Sequence, residues 1–114
     1  MTIDWYIAGL TFILLHELDA IRCHEWRIFP GLSSLSDRNG MLLFMVLHVP
    51  LFYWVISASF KDSSGFRVGF DLFLIIHLGL HLLFLMHPRN EFKDWLSWTL
   101  IVSAASCALF DLLN

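Results

Sequence analysis

Four apolar runs, each close to the length of a membrane-spanning helix, occupy most of this 114-residue chain. They cover residues 3–21, 41–60, 68–86 and 95–113. A helix needs ~20 apolar residues to cross ~30 Å of hydrocarbon, and a backbone in lipid must satisfy its own hydrogen bonds. The runs are continuous rather than alternating, which argues against the strands of a β-barrel. The chain therefore reads as all-α: an integral membrane four-helix bundle, with a single transmembrane domain over residues 1–114.

Composition supports lipid as the solvent. Hydrophobic residues make up 58% of the chain and charged ones 15%, against about 25% charged in ordinary globular domains. A soluble domain of this size buries only about 60–70% of the surface its unfolded chain exposes, too little to hide so much apolar area. The net charge of −3 is small and unclustered, so nothing points to nucleic acid. Two cysteines, Cys23 and Cys107, lie far apart along the chain and suggest no disulfide framework. No basic region and small-residue cleavage site open the chain, so the first apolar run is expected to drive insertion itself.

Between the runs lie turn-forming residues. Pro30-Gly31, Ser33-Ser34 and Asp37-Arg38-Asn39-Gly40 mark a first loop, Asp62-Ser63-Ser64-Gly65 a short second, and His87-Pro88-Arg89-Asn90 a third. Arg22, Arg27, Arg38, Arg89 and Lys93 fall in loops one and three, against Lys61 and Arg67 in loop two. The positive-inside rule then places loops one and three in the cytoplasm and both termini outside. A bacterial inner membrane is the expected setting.

Within that frame the histidines stand out. His48, His77 and His81 sit inside apolar runs, and His16 opens the sequence His16-Glu17-Leu18-Asp19 at the end of another. An ionisable side chain at membrane depth costs roughly 2.5–3.5 kcal/mol on insertion scales and normally faces a bundle interior or a functional path. Counting from the loop arginines at ~1.5 Å per residue puts all four roughly 10–18 Å below the surface. They form one layer drawn from three helices. His24 and His87 lie in loops and read as surface residues.

His77 and His81 are spaced i, i+4, so both rings leave one helix face, as in helical zinc sites. His16 and Asp19 share a face at i, i+3, which makes Asp19 a second ligand or the carboxylate that orients the His16 ring. Glu17 is the candidate general base or acid beside a metal-bound water. For Glu17 and Asp19 the plain alternative is solvation among the headgroups. His48, two residues before Pro50, is either a ligand or an interhelical hydrogen-bond partner. Ser97, Thr99, Ser103, Ser106 and Cys107 read as packing between close helices, with Ser97 or Thr99 as donors to a substrate oxygen the lesser option. Asp71 and Asp111 are expected near the outer interface and solvated; Glu25 is expected at the surface.

The stretch His16-Glu17-Leu18-Asp19-Ala20-Ile21 with Glu25-Trp26-Arg27, followed by histidines in later helices, resembles uncharacterised small bacterial four-helix membrane proteins. It is also similar to the HXXEE-domain membrane proteins, named for a His-x-x-Glu-Glu motif. His16 and Asp19 match that motif, while Ala20 stands where its last glutamate would be. The resemblance implies a metal ligand at His16 and no particular activity.

The leading reading is a transition-metal site, zinc first, held by His48, His77, His81 and His16 or Asp19. An open ligand position would suit hydrolysis of a lipid-like amide or ester, with Glu17 and Asp19 as catalytic carboxylates. Alternatives are a haem protein with two axial histidines, a diiron redox site, or a binding module relaying protons, which would need a homo-oligomer. A structural membrane protein with a satisfied polar core is the bland option. Membrane lipid is the expected partner in every case.

Overall fold

The computed structural model describes residues 2–61 and 63–114. It contains four α-helices, α1 (Trp5–Arg22), α2 (Asp37–Phe60), α3 (Ser64–Phe84) and α4 (Trp95–Leu113). Two short 3₁₀ turns, Glu25–Arg27 and Leu32–Ser34, join α1 to α2.

Each helix starts where a side chain can cap it. Asp4 accepts from the Ile7 N–H at 3.1 Å, Ser36 from Asn39 at 3.2 Å, Ser63 from Phe66 at 3.3 Å and Asp94 from Ser97 at 3.0 Å. Such caps satisfy backbone donors that a helix start otherwise leaves unpaired. They also explain why α2 and α3 begin four residues before the apolar runs at 41 and 68: capping, not hydrophobicity, sets the start. Helix α3 stops at Phe84, ahead of Pro88, and Pro50 is accommodated inside α2.

Three of the four helices, α2, α3 and α4, are long and apolar enough to cross a membrane. Helix α1 has 18 residues and carries Glu17, Asp19 and Arg22 in its last turns. It is less apolar than that, so of the four spans expected three are long and apolar enough to cross and the first is a shorter, polar-ended helix. That end is held inside the protein: His16 and Asp19 are both buried.

Helix α1 packs chiefly on α4, and α4 on α3. A Cβ on Gly9 of α1 would lie 3.2 Å from a Leu74 methyl and 3.4 Å from the Cys107 Cβ. The Ala104 carbonyl lies 3.6 Å from the same point, and Ala104, Ala105 and Ala108 of α4 are all buried. Small residues that let backbones approach are the ordinary basis of membrane helix packing, and this is the role the small residues of α4 fill. Both cysteines are free and buried.

Helix α2 packs less closely than the others and is tied at its two ends and, midway, by His48 to Glu17 of α1. At one end Trp26 Nε1 donates to Asp37 at 2.9 Å, and Arg27 grips the same carboxylate at 2.8 and 2.9 Å. At the other end the Tyr6 and Ser59 hydroxyls are 2.6 Å apart. Its outer face, including Val46, Val49 and Tyr53, is exposed, as a lipid-facing helix requires. Asp71 corrects the sequence reading. It is only 1% exposed, because its face of α3 turns inward at the end of the bundle where Arg67 binds Asp4 at 3.0 Å.

Two glycines test this packing in opposite directions. A Cβ on Gly40 would sit 2.8 Å from the Trp26 ring, whereas one on Gly79 would meet nothing within 4 Å. Gly40→Ala should destabilise by about 1–3 kcal/mol through overpacking, while Gly79→Ala should stabilise by up to about 1 kcal/mol through helix propensity. Thermal unfolding in detergent measures both, and equal effects at the two sites would contradict the packing described.

Candidate metal centre

His16 comes from α1, and His77 and His81 come from successive turns of α3. The i, i+4 spacing aims both α3 rings at one face, and the packing of α1 brings His16 against them. All three are buried, with ligand nitrogens within 4.8 Å of one another. The ring centroids form a nearly equilateral triangle with sides of 4.6, 4.7 and 4.5 Å. The Nε2 atoms of His77 and His81 are 3.2 Å apart.

Apart from that Nε2 pair, the cluster's ring nitrogens lack protein partners. Both nitrogens of His16, Nδ1 of His77 and Nδ1 of His81 are buried without a hydrogen-bond partner among the described residues. A buried polar group left unsatisfied costs about 1–3 kcal/mol, so this arrangement calls for another group at its centre. Tetrahedral ligation at ~2.0–2.1 Å per bond separates ligand nitrogens by roughly 3.3 Å. The His77–His81 spacing already matches, and the buried His16/His77/His81 cluster could hold a metal ion.

Aromatic residues close the space around it. Phe92, fully buried, lies 5.4 Å from His16 and 4.6 Å from His81 between centroids. Phe84 covers His81 at 5.1 Å, and Phe73 lies 5.8 Å from His77. Phe92 is fixed by its own backbone: its N–H donates to Asn90 Oδ1 at 3.1 Å, and Trp98 Nε1 donates to its carbonyl at 2.9 Å. The segment between α3 and α4 therefore seals the histidines from the loop side. Nothing in the periodicity of the sequence marks Phe92, which lies outside every apolar run.

His48 is placed elsewhere. Its Nε2 pairs with Glu17 at 2.8 Å and its Nδ1 lies 2.6 Å from the Phe44 carbonyl. Both ring nitrogens are engaged, which leaves none free for ligation as the structure stands. Glu17 is turned from the triangle toward α2, where it lines the space between helices.

Asp19 is bound into a link between α1 and α4. It accepts from Ser97 Oγ at 2.5 Å and from Arg22 Nε at 2.6 Å, and Arg22 continues to Asp94 at 3.0 Å. Its position on the wheel beside His16 is as the spacing implied, but its oxygens serve the helix junction. Ser97 is occupied in the same link. His24 and Arg27 both reach Glu91, at 2.9 and 3.3 Å, tying the first loop to the third.

Glu25, like Asp71, is buried where the sequence suggested exposure. It is only 6% exposed, with Oε2 unpartnered. Burial pushes its carboxyl up to about 8, with the charge of Glu17 adding and that of His48 opposing. The left-handed backbone at His24 (φ 53°) turns the chain back and carries Glu25 and Trp26 inward. The alternation of charged and aromatic residues at 25–27 resembled an interfacial segment and gave no sign of that reversal.

The sign of the Glu25 effect follows from its raised value. Between 4.5, its ordinary value, and about 8 the folded protein holds a proton that the unfolded chain has lost. Its contribution to stability is therefore full below the ordinary value and declines as pH rises to the folded one. Glu25→Gln should be more stable than the parent by on the order of 2–4 kcal/mol near pH ~8 and equal to it near pH ~4. Thermal unfolding at the two pH values measures this, and a pH-independent difference would contradict the burial of a titrating carboxyl.

A model of one protein family, described as "Family of unknown function (DUF6713)", matches residues 2–114. No curated protein and no solved structure matches the chain.

Proposed function

The chain belongs to that family of unknown function, and on this premise we propose that it is an integral membrane protein built around a transition-metal centre ligated by His16, His77 and His81. The observation that carries the reading is the triangle of buried imidazoles, four of whose six ring nitrogens have no partner among the described residues. Three neutral nitrogen donors suit zinc, and ferrous iron as an alternative. Of the two HXXEE-like positions, His16 contributes to the triangle, whereas Asp19 acts on Arg22 and Ser97.

The geometry favours a single ion over haem. Axial ligation needs two imidazoles on opposite sides of a flat slot, but here all three rings are in mutual edge contact. A diiron reading is weakened because the nearby carboxylates Asp19 and Glu17 are engaged with Arg22 and His48. A proton-relay module in an oligomer has no particular observation behind it.

Three protein ligands leave a fourth position on a tetrahedral ion. When bound there, the ion supplies Lewis acidity for a hydrolytic step. The Phe92 and Phe84 rings exclude water from the loop side. Glu17, next to His16 in the chain, faces the interhelical space and pairs with His48 there, and it would act as proton acceptor by leaving that pair. We therefore take hydrolysis of a lipid-like ester or amide as the reaction class, in a membrane with loops one and three on the cytoplasmic side.

Metal analysis tests the centre. Detergent-purified protein should carry about one transition-metal ion per chain, as a three-histidine site implies. His16→Ala, His77→Ala and His81→Ala should each reduce affinity by at least about tenfold, while His48→Ala should leave it within about threefold. Metal retained in both α3 variants, or lost on His48→Ala alone, would overturn the ligand set.

A further inference from the structure

Helix α2 meets the rest of the bundle at its ends and, midway, through the His48–Glu17 contact, and beyond that contact a slot of about 470 Å³ lies between it, α1 and α3. Leu10, Ile13, Phe52, Val55, Phe66 and Phe70 are among the apolar residues that line it. Glu17 is the acidic residue at its wall, and a smaller cavity of about 160 Å³, lined by His48, shares Glu17 and Phe52 with it. The slot is thus an apolar space with one member of the Glu17–His48 pair at its wall. Its volume falls among small-molecule sites, which run about 300–1,000 Å³.

What fits it is restricted. A second helix, about 10 Å across with its side chains, is too thick for a space of this volume between three helices. A purely apolar filler would leave the exposed part of the Glu17–His48 pair without a polar neighbour. A charged head would have to shed its water, at a cost that rises steeply with charge. An anion would also meet Glu17, and a cation would compete with His48 for it. A neutral head with a hydrogen-bond donor has neither conflict, because the carboxylate keeps His48 and accepts one more bond.

We propose that this slot binds one acyl chain of a lipid-like ester or amide, with an uncharged N–H- or O–H-bearing head lying against the Glu17–His48 pair. This names the substrate class of the centre proposed above and rests on that reading, although the binding step itself needs no metal. Gly69 lies on the slot wall, and a Cβ there would meet nothing within 4 Å. A larger side chain at that position projects into the volume the acyl chain would occupy. Trp54, also on the wall, reports on the contents.

The test is saturable quenching of Trp54 fluorescence in lipid nanodiscs by dibromostearoyl ethanolamide, read as wild type minus Trp54→Phe. Gly69→Leu should weaken the apparent affinity at least tenfold. It replaces a helical glycine by a better helix former, so loss of folding is not expected; Gly79→Leu, off the slot, serves as the matched control and should bind within twofold of wild type. Dibromostearate, with its anionic head, should bind at least fivefold more weakly than the ethanolamide. His77→Ala should lose metal yet keep the probe. Quenching that rises linearly without saturation, equal binding by Gly69→Leu, or equal binding of the anionic probe would overturn the proposal. Wild-type protein that binds the probe but carries no metal would sink the metal reading alone.

Discussion

The arrangement depends on three imidazoles buried against one another, in which the His77 and His81 Nε2 atoms meet each other and the other four ring nitrogens have no protein partner among the described residues. In lipid or in a protein interior such groups are retained only when something compensates their desolvation. Here the surroundings offer aromatic rings rather than donors or acceptors. That requirement explains why α1, the most polar of the four helices, is nevertheless packed along α4 with His16 turned onto α3. It also explains why the third loop folds back to place Phe92 over the cluster rather than leaving it open to water.

The remaining polar groups act as ties that hold the helices in this position. Arg22 joins Asp19 to Asp94, Ser97 bonds Asp19 across to α4, and Arg27 bridges Asp37 and Glu91. All of them lie at the same end of the bundle as the histidines. The opposite end is fixed by Asp4–Arg67 and Tyr6–Ser59. Exposed ion pairs of this kind contribute little energy individually, about 0–1 kcal/mol. Their effect is registration: they set which turn of α1 faces which turn of α3. Because α2 is tied through His48–Glu17 and Tyr6–Ser59, the stretch between those two ties borders an internal slot.

Much of this was legible in the sequence, for physical reasons that differ by residue. The helices were readable because lipid admits so few backbone structures, and His77 and His81 were readable as a pair because helical periodicity fixes their common face. Which partner joins them was not. Depth alone set His16 and His48 on equal terms, and only the tertiary packing assigns His16 to the triangle and His48 to Glu17. Glu25 escaped because its burial follows from one left-handed residue, His24, which no hydrophobic pattern encodes. Asp71 escaped because its distance from the helix end suggested solvation, while its rotation about the helix turns it inward. The membrane-crossing standard also separates α1 from its neighbours for a simple reason: its charges serve the site and the helix junction.

X-ray absorption at the metal edge of the detergent-purified protein tests the central claim most directly. A three-histidine centre predicts nitrogen or oxygen scatterers at about 2.0–2.1 Å, with the outer-shell pattern of about three imidazoles. A sulfur shell near ~2.3 Å, an outer shell with fewer than two imidazoles, or no transition-metal edge at all would contradict it.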